Sequence, residues 1–382
     1  MTSLEYEPGL ERLQGIVQQQ APELAAEFGL FQFRLLECLK TEQKYGESSN
    51  NTAEKNRVIE QLMLFTSKHF SLQFIELCRP GNLLKIPTQA HLKIEQITAT
   101  LDLWKEGTEV KTQKGQDGPR YIVHEPITVR WSADHSACYQ QAKAQQIGAT
   151  RIVWLKQVQV HRDTSISANW KAALEKEERL LETLEEKQEQ SFPRCLAFEQ
   201  AGAITTLIQF ATQGHSWKQM FGSPHHSLDA QQIRILLQST ISVCASLKLL
   251  HEKNLAHRML LPEHILLPNN RRTVLQDTGL STWKYEPGEG SDLYRAPEQN
   301  VSNSRIAVPG VYTDTYQLGA ILYHLITRQM PASNGPIISL RTWNNALSPE
   351  MDMVLQQAIE PQIKKRWPKI TDFSTAIKRA LY

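Results

Sequence analysis

Apolar residues recur every three to four positions through the first part of the chain, in four successive stretches. They are Leu10, Leu13, Ile16 and Val17; Phe31, Leu35, Leu36 and Leu39; Val58, Ile59, Leu62 and Phe65; and Leu72, Ile75 and Leu77. That period gathers each set on one face of a helix. Helices this short gain too little from propensity to stand alone, so a small bundle sharing one core is expected over residues 1–82. The polar stretch GESSNNTAEKN, 46–56, reads as the loop between the second and third helices. Arg79-Pro80-Gly81, followed by Pro87, breaks the helical pattern and sets a boundary.

Residues 83–119 read as a connector: HLKIEQITATLDLW, 91–104, alternates as one or two strands would, and QKGQDGP, 113–119, is rich in turn formers. From Arg120 onward the pattern changes to short β stretches, then one long charged helix, then mostly helix to the end, which predicts an α+β domain over 120–382.

Composition narrows the function. The formal charge of +2 gives no global field for nucleic acid or an anionic membrane surface. Five dispersed cysteines without a CxxC pair suit reduced thiols in a cytoplasmic protein better than disulfides or a zinc site. The N-terminus lacks a signal pattern, and no apolar run approaches the roughly 18 residues that span a bilayer. Neither nucleic acid nor membrane is therefore expected as a partner. The adjacent His225 and His226 lack a second pair nearby, and the glutamates between Glu175 and Glu189 read as a solvated helix face.

A series of short segments then appears in a telling order: RIVWLKQVQV (151–160), LEKEERLLETL (174–184), TTLIQFATQG (205–214), AHRMLLPEHILL (256–267), VLQDTGL (274–280), YRAPE (294–298) and DTYQLGAILYHLITRQMP (314–331). In order and approximate spacing they resemble the signature of the protein kinase-like superfamily, over about two thirds of the chain. The resemblance implies a bilobal fold with an N-lobe at about 120–210 and a C-lobe at about 215–382. It implies that Lys156 and Glu177 form the nucleotide-positioning ion pair, that Ile208 is the gatekeeper, and that Asp277 is the metal-binding aspartate. It gives His257, Arg258, Glu298, Asp314 and Arg366 scaffold roles around the catalytic loop and activation segment. Arg258 is then placed to meet a phosphate on Ser281, Thr282 or Ser291.

Several catalytic parts of that family are absent. Met259 stands at the catalytic aspartate, a loss that costs about 10²–10⁴ in rate for a general base. Leu261 replaces the loop lysine, and His264 replaces the metal-binding asparagine with an imidazole that Mg²⁺ binds poorly. ITVRWSADHSACY, 127–139, has no glycine where the family's phosphate-covering loop needs them. Trp154 takes the place of a small residue above the adenine ring, on the same strand face as Lys156. Thr278 replaces a phenylalanine that couples the segment to the long helix, so that coupling is expected to be weak or supplied otherwise.

Residues 1–82, through ECLKTEQKYG and FSLQFIELC, are similar to the effector-associated domains of bacterial conflict systems, which implies docking to other proteins through this helical module. The expected function is a pseudokinase signalling or adaptor protein. Two alternatives stay open: a divergent Ser/Thr kinase using ATP with Mg²⁺ or Mn²⁺ through Lys156 and Asp277, and a plain adaptor whose partner touches only residues 1–82.

Overall fold

The structure is a computed structural model that describes residues 6–21, 24–45, 49–70, 74–78, 103–112, 118–132, 134, 136–187, 190–223, 227–268, 273–286, 288–300, 308–331 and 336–382. The chain divides into two compact units, Met1–Ile97 and Thr98–Tyr382. In the first, helices α1 (Tyr6–Gln20), α2 (Ala25–Tyr45), α3 (Ser49–Phe70) and α4 (Phe74–Leu77) enclose a core. Leu10 and Leu13 of α1, Phe28 and Leu35 of α2, Leu62 and Phe65 of α3, and Phe74 and Leu77 of α4 fill it. Gly9 permits the close packing of α1 on α4, since a Cβ there would lie 2.3 Å from Cys78 Sγ. The polar loop expected over 46–56 is shorter than that, because α3 already begins at Ser49. Once the apolar stripe of Val58 to Phe65 holds a helix, extending it through polar residues adds one hydrogen bond per residue fixed.

The second unit opens with a six-stranded antiparallel sheet in the order β1-β2-β3-β4-β6-β5. The strands are β1 (Glu109–Lys111), β2 (Arg120–Trp131), β3 (Ala137–Gln146), β4 (Ile152–Val160), β5 (Cys195–Ala201) and β6 (Ile204–Phe210). The end of the connector thus adds a strand, Glu109 pairing with Ile122 and Lys111 with Arg120. Residues 91–102, where strand-like alternation was expected, lie outside the described residues, as do 113–117 of the turn-rich stretch.

Alternation sorts this sheet into two faces. Val153, Leu155 and Ile208 pack with Trp104 and Val123 on one face. Val158 and Leu207 pack on the other with Tyr139 and with Trp170 and Leu174 of helix α5 (Ser165–Glu186). A Thr164–Ser167 capping box starts α5, and its buried stripe runs through Ala173, Glu177, Leu180, Leu181 and Leu184.

The rest of the unit is mostly helical: α6 (Trp217–Phe221), α7 (Ala230–His251), α8 (Val311–Thr327), α9 (Pro349–Ala358) and α10 (Ile370–Leu381). A small sheet of β7 (His215–Ser216), β8 (Ile265–Leu267) and β9 (Val274–Leu275) accompanies them. Leu247 and Leu250 of α7, Ile321 and Leu325 of α8, Leu355 of α9 and Phe373 of α10 share one core. Among the described residues, α7 alone is long and apolar enough by composition to cross a membrane, and its apolar side is spent on this core.

Candidate functional site

The β4–β6 register sets Lys156 opposite Leu207 and Trp154 opposite Gln209, so these four side chains share the sheet face covered by α5. Lys156 Nζ meets Glu177 Oε1 of α5 at 2.6 Å, with 2% and 1% of the side chains exposed. The same oxygen accepts from Gln209 Nε2 and from Thr278 Oγ1, each at 3.0 Å. Burial pulls the Lys156 pKa down, but the Glu177 carboxylate outweighs it and raises the pKa above the ordinary lysine value. Thr278 therefore supplies the coupling to α5 by a hydrogen bond where an apolar ring was missing. Ile208, expected as gatekeeper, is on the opposite face with Leu155; Gln209 takes the cleft-facing position, because the pleat turns consecutive residues to opposite sides.

Asp277 is enclosed by two histidines. His257 Nε2 lies 3.1 Å from its Oδ1, which also accepts from the Gly279 amide at 3.0 Å. His264 Nδ1 lies 2.9 Å from Oδ2, a charge contact whose N–H is poorly aligned for a hydrogen bond. Burial would raise the Asp277 pKa, but the His264 charge, together with the hydrogen bond and charge of His257, holds it well below the usual carboxylate range. His264 answers in the opposite sense: burial lowers its pKa, and Asp277 more than compensates, raising it above that of a free imidazole. The Trp154 indole stands edge-on to the His264 ring, centroids 6.1 Å apart, with Lys143 Nζ 5.4 Å from the indole centroid. Gly279, at φ +61°, admits no side chain, since a Cβ would meet His257 O at 2.3 Å.

This donor set does not fit Mg²⁺. Both oxygens of Asp277 are engaged, the second ligand position holds an imidazole, and Mg²⁺ asks for near-octahedral oxygen ligation. The site fits a triphosphate no better. The β2–β3 hairpin tip is built around Asp134, whose Oδ1 accepts from the hydroxyls of Ser132 and Ser136, at 2.8 and 2.6 Å, and from Ser136 N at 3.0 Å. Its Oδ2 accepts from Thr164 Oγ1 at 2.9 Å, tying the tip to the N-cap of α5. An anionic, pinned tip takes the place of a glycine loop whose amides would reach phosphate. Beneath it, Trp283 packs edge-on to Tyr139 (5.1 Å) and Trp170 (5.3 Å), and the Arg130 guanidinium lies 4.6 Å from the Tyr139 ring and 4.8 Å from the Trp283 ring.

The Asp134 network carries a pH signature. Burial opposes ionisation, but the hydrogen bonds from Ser136, Ser132 and Thr164 outweigh it and depress the pKa. Its stabilisation is therefore fully present above the unfolded carboxylate's pKa of about 3.9, and is lost as pH falls through the lower folded value. Asp134→Ala should cost about 1 kcal/mol, as loss of a capping acceptor does, and the deficit against the parent should shrink as urea melts are taken to pH 3. An unchanged deficit across that range counts against the assignment.

Below the cleft, Asp314 of α8 organises the catalytic-loop segment. Its Oδ2 accepts from His257 N and Oδ1 from Arg258 N, at 2.8 and 2.7 Å, and His251 Nε2 lies 2.8 Å from Oδ2. These bonds hold Arg258 at φ +59°, a conformation unfavourable for a residue with a Cβ. Met259 is half-buried, with its amide 3.3 Å from His257 Nδ1, and Leu261 packs against the main core. Arg258 is paired with Glu289 at 2.8 Å. Arg366 and Glu298 form a two-pronged pair, 2.8 and 2.9 Å, also buried. Four participants escaped the sequence reading: Asp134, Gln209, Glu289 and Gln317, whose amide accepts from Leu260 N and donates to Arg258 O. The alternation of TTLIQF could have found Gln209; the others join through contacts distant in sequence.

Comparison with known proteins agrees with this geometry. The profile of the protein kinase domain family matches residues 137–380. Human serine/threonine-protein kinase Nek10 is 29% identical over 145 residues, covering 36% of this chain and 12% of the relative. Serine/threonine-protein kinase PknF of Mycobacterium tuberculosis is 29% identical over 163 residues, covering 37% and 33%. The chain thus spans a third or less of these relatives' lengths. The solved kinase domain of Mycobacterium tuberculosis PknI is 17% identical, with a TM-score of 0.47, over 73% of this chain and 99% of that one. With a family profile covering well over half its length and a strand-rich lobe, a paired Lys156 and Glu177 and an Asp314-anchored loop in sequence, the chain belongs to the protein kinase domain family.

Proposed function

We propose that this chain is a pseudokinase: a cytoplasmic signalling or adaptor protein that uses the kinase fold as a protein-interaction platform and docks through its N-terminal helices. The observation that carries the reading is the His264–Asp277 contact under the Trp154 indole. An imidazolium there supplies the positive charge that a metal ion would bring, and the indole takes space that a purine would need. With Met259 in place of an aspartate, the loop position that would receive the hydroxyl proton carries no carboxylate.

A second reading, a divergent kinase, draws on the intact Lys156–Glu177 pair. Thermal-shift and calorimetric titration of the full chain with ATP, with and without Mg²⁺ or Mn²⁺, separates the two. The parent should show no shift, whereas the double variant Trp154→Ala/His264→Asn should gain metal-dependent binding, worth about 2.7 kcal/mol at 100 times its Kd. Metal-dependent binding by the parent, with autophosphorylation lost in Asp277→Ala, would overturn the pseudokinase reading in favour of the second.

A further inference from the structure

Arg258 is held by a carboxylate of its own chain. Its Nη1 donates to both oxygens of Glu289, at 2.8 and 2.9 Å, while Nη2 donates to the carbonyls of Leu280 and Trp283. The two side chains are 7% and 6% exposed, so the pair is shielded from water. One guanidinium thereby fastens the beginning of the 280–298 segment to its middle.

The backbone around Glu289 is shaped to present it. Glu289 N donates to Glu286 O at 3.0 Å, and Glu286 N donates back to Glu289 Oε2 at 3.2 Å, closing a turn. Gly288 N donates to Gln299 O at 2.8 Å, and Arg295 Nε donates to Glu289 O at 3.0 Å. Gln299 Nε2 in turn donates to Arg258 O at 2.9 Å, so the arginine is gripped at both its backbone and its head group. A carboxylate offering two oxygens to a buried guanidinium performs the office of a phosphate at that place. Two of the segment's three candidate hydroxyls are poorly suited to carry such a phosphate, since Ser281 Oγ and Thr282 Oγ1 are both buried and without a hydrogen-bond partner.

We infer that Glu289 is a permanent substitute for a segment phosphate, fixing residues 280–298 in one conformation in the unmodified chain, so that this surface is presented without an upstream kinase. The inference concerns the segment alone and stands whether or not the cleft takes nucleotide.

Hydrogen exchange of the full chain, read over peptides from 280–298, tests it. Glu289→Gln removes the charge while keeping the shape, and should speed exchange there by about tenfold or more, the scale of a lost charge-assisted hydrogen bond. Helices α8 and α9 should exchange as in the parent. Glu289→phosphoserine, introduced during synthesis, should restore protection that Glu289→Ser lacks. Parent-like exchange in Glu289→Gln overturns the inference, as does equal protection in the serine and phosphoserine chains. Should Glu289→Gln fail to fold, the serine and phosphoserine comparison decides alone: only the phosphorylated chain should fold with parent-like protection, and failure of both overturns the inference.

Discussion

Glu177→Ala should destabilise the second unit by about 3–5 kcal/mol, the cost of leaving one member of a buried ion pair alone. One carboxylate oxygen serves Lys156, Gln209 and Thr278, so the truncation strands a buried ammonium, an amide and a hydroxyl together. For a unit of this size the loss corresponds to a fall in Tm of about 10 °C, readable by calorimetry without any ligand. Lys156→Met/Glu177→Leu should recover much of it, because an apolar pair needs no desolvation to be offset, though Gln209 and Thr278 still lack their acceptor. A single variant melting within a degree of the parent would show that the carboxylate carries no structural duty. That duty matters for function. If the pair is fixed by Gln209 and Thr278 from two other elements, its presence is explained by folding alone and does not by itself call for nucleotide.

The parts of this site legible in the sequence were those set by local period. Alternation along RIVWLKQVQV puts Trp154 and Lys156 on one face, and the helical spacing of Leu181 and Leu184 brings Glu177 inward on α5. Gatekeeper identity failed by one residue because Ile208 and Gln209 are neighbours on opposite faces, and only the pairing of Trp154 with Gln209 decides between them. Contacts between remote polar residues were not legible at all. Asp134 meets Thr164 across 30 positions and Arg258 meets Glu289 across 31, and neither period nor propensity links such pairs. Glu289 lies in EPGEG, where turn-forming neighbours make a glutamate look like ordinary loop. The same blindness hid β1, a three-residue strand whose pairing with β2 comes from a connector of little regular pattern.

Arg366→Ala is expected to match Glu177→Ala in size, at about 3–5 kcal/mol, yet to act at the other end of the unit. Arg366 answers both oxygens of Glu298 and also donates to the carbonyls of Glu360, Pro361 and Tyr312, with its guanidinium 4.7 Å from the Tyr316 ring centroid. Its removal leaves Glu298 buried with Thr313 Oγ1 as its remaining partner in this network. Arg366→Lys keeps the charge but replaces a planar fork by a single ammonium, so it should still cost about 2 kcal/mol. Glu298 belongs to the short 3₁₀ turn Pro297–Gln299, and Gln299 grips the Arg258 carbonyl. Hydrogen exchange should therefore quicken in 288–300 for Arg366→Ala, while the Lys156 and Glu177 neighbourhood keeps its protection. If instead both regions loosen together, the unit opens as a single cooperative block, and the segment surface and the cleft cannot be tuned apart.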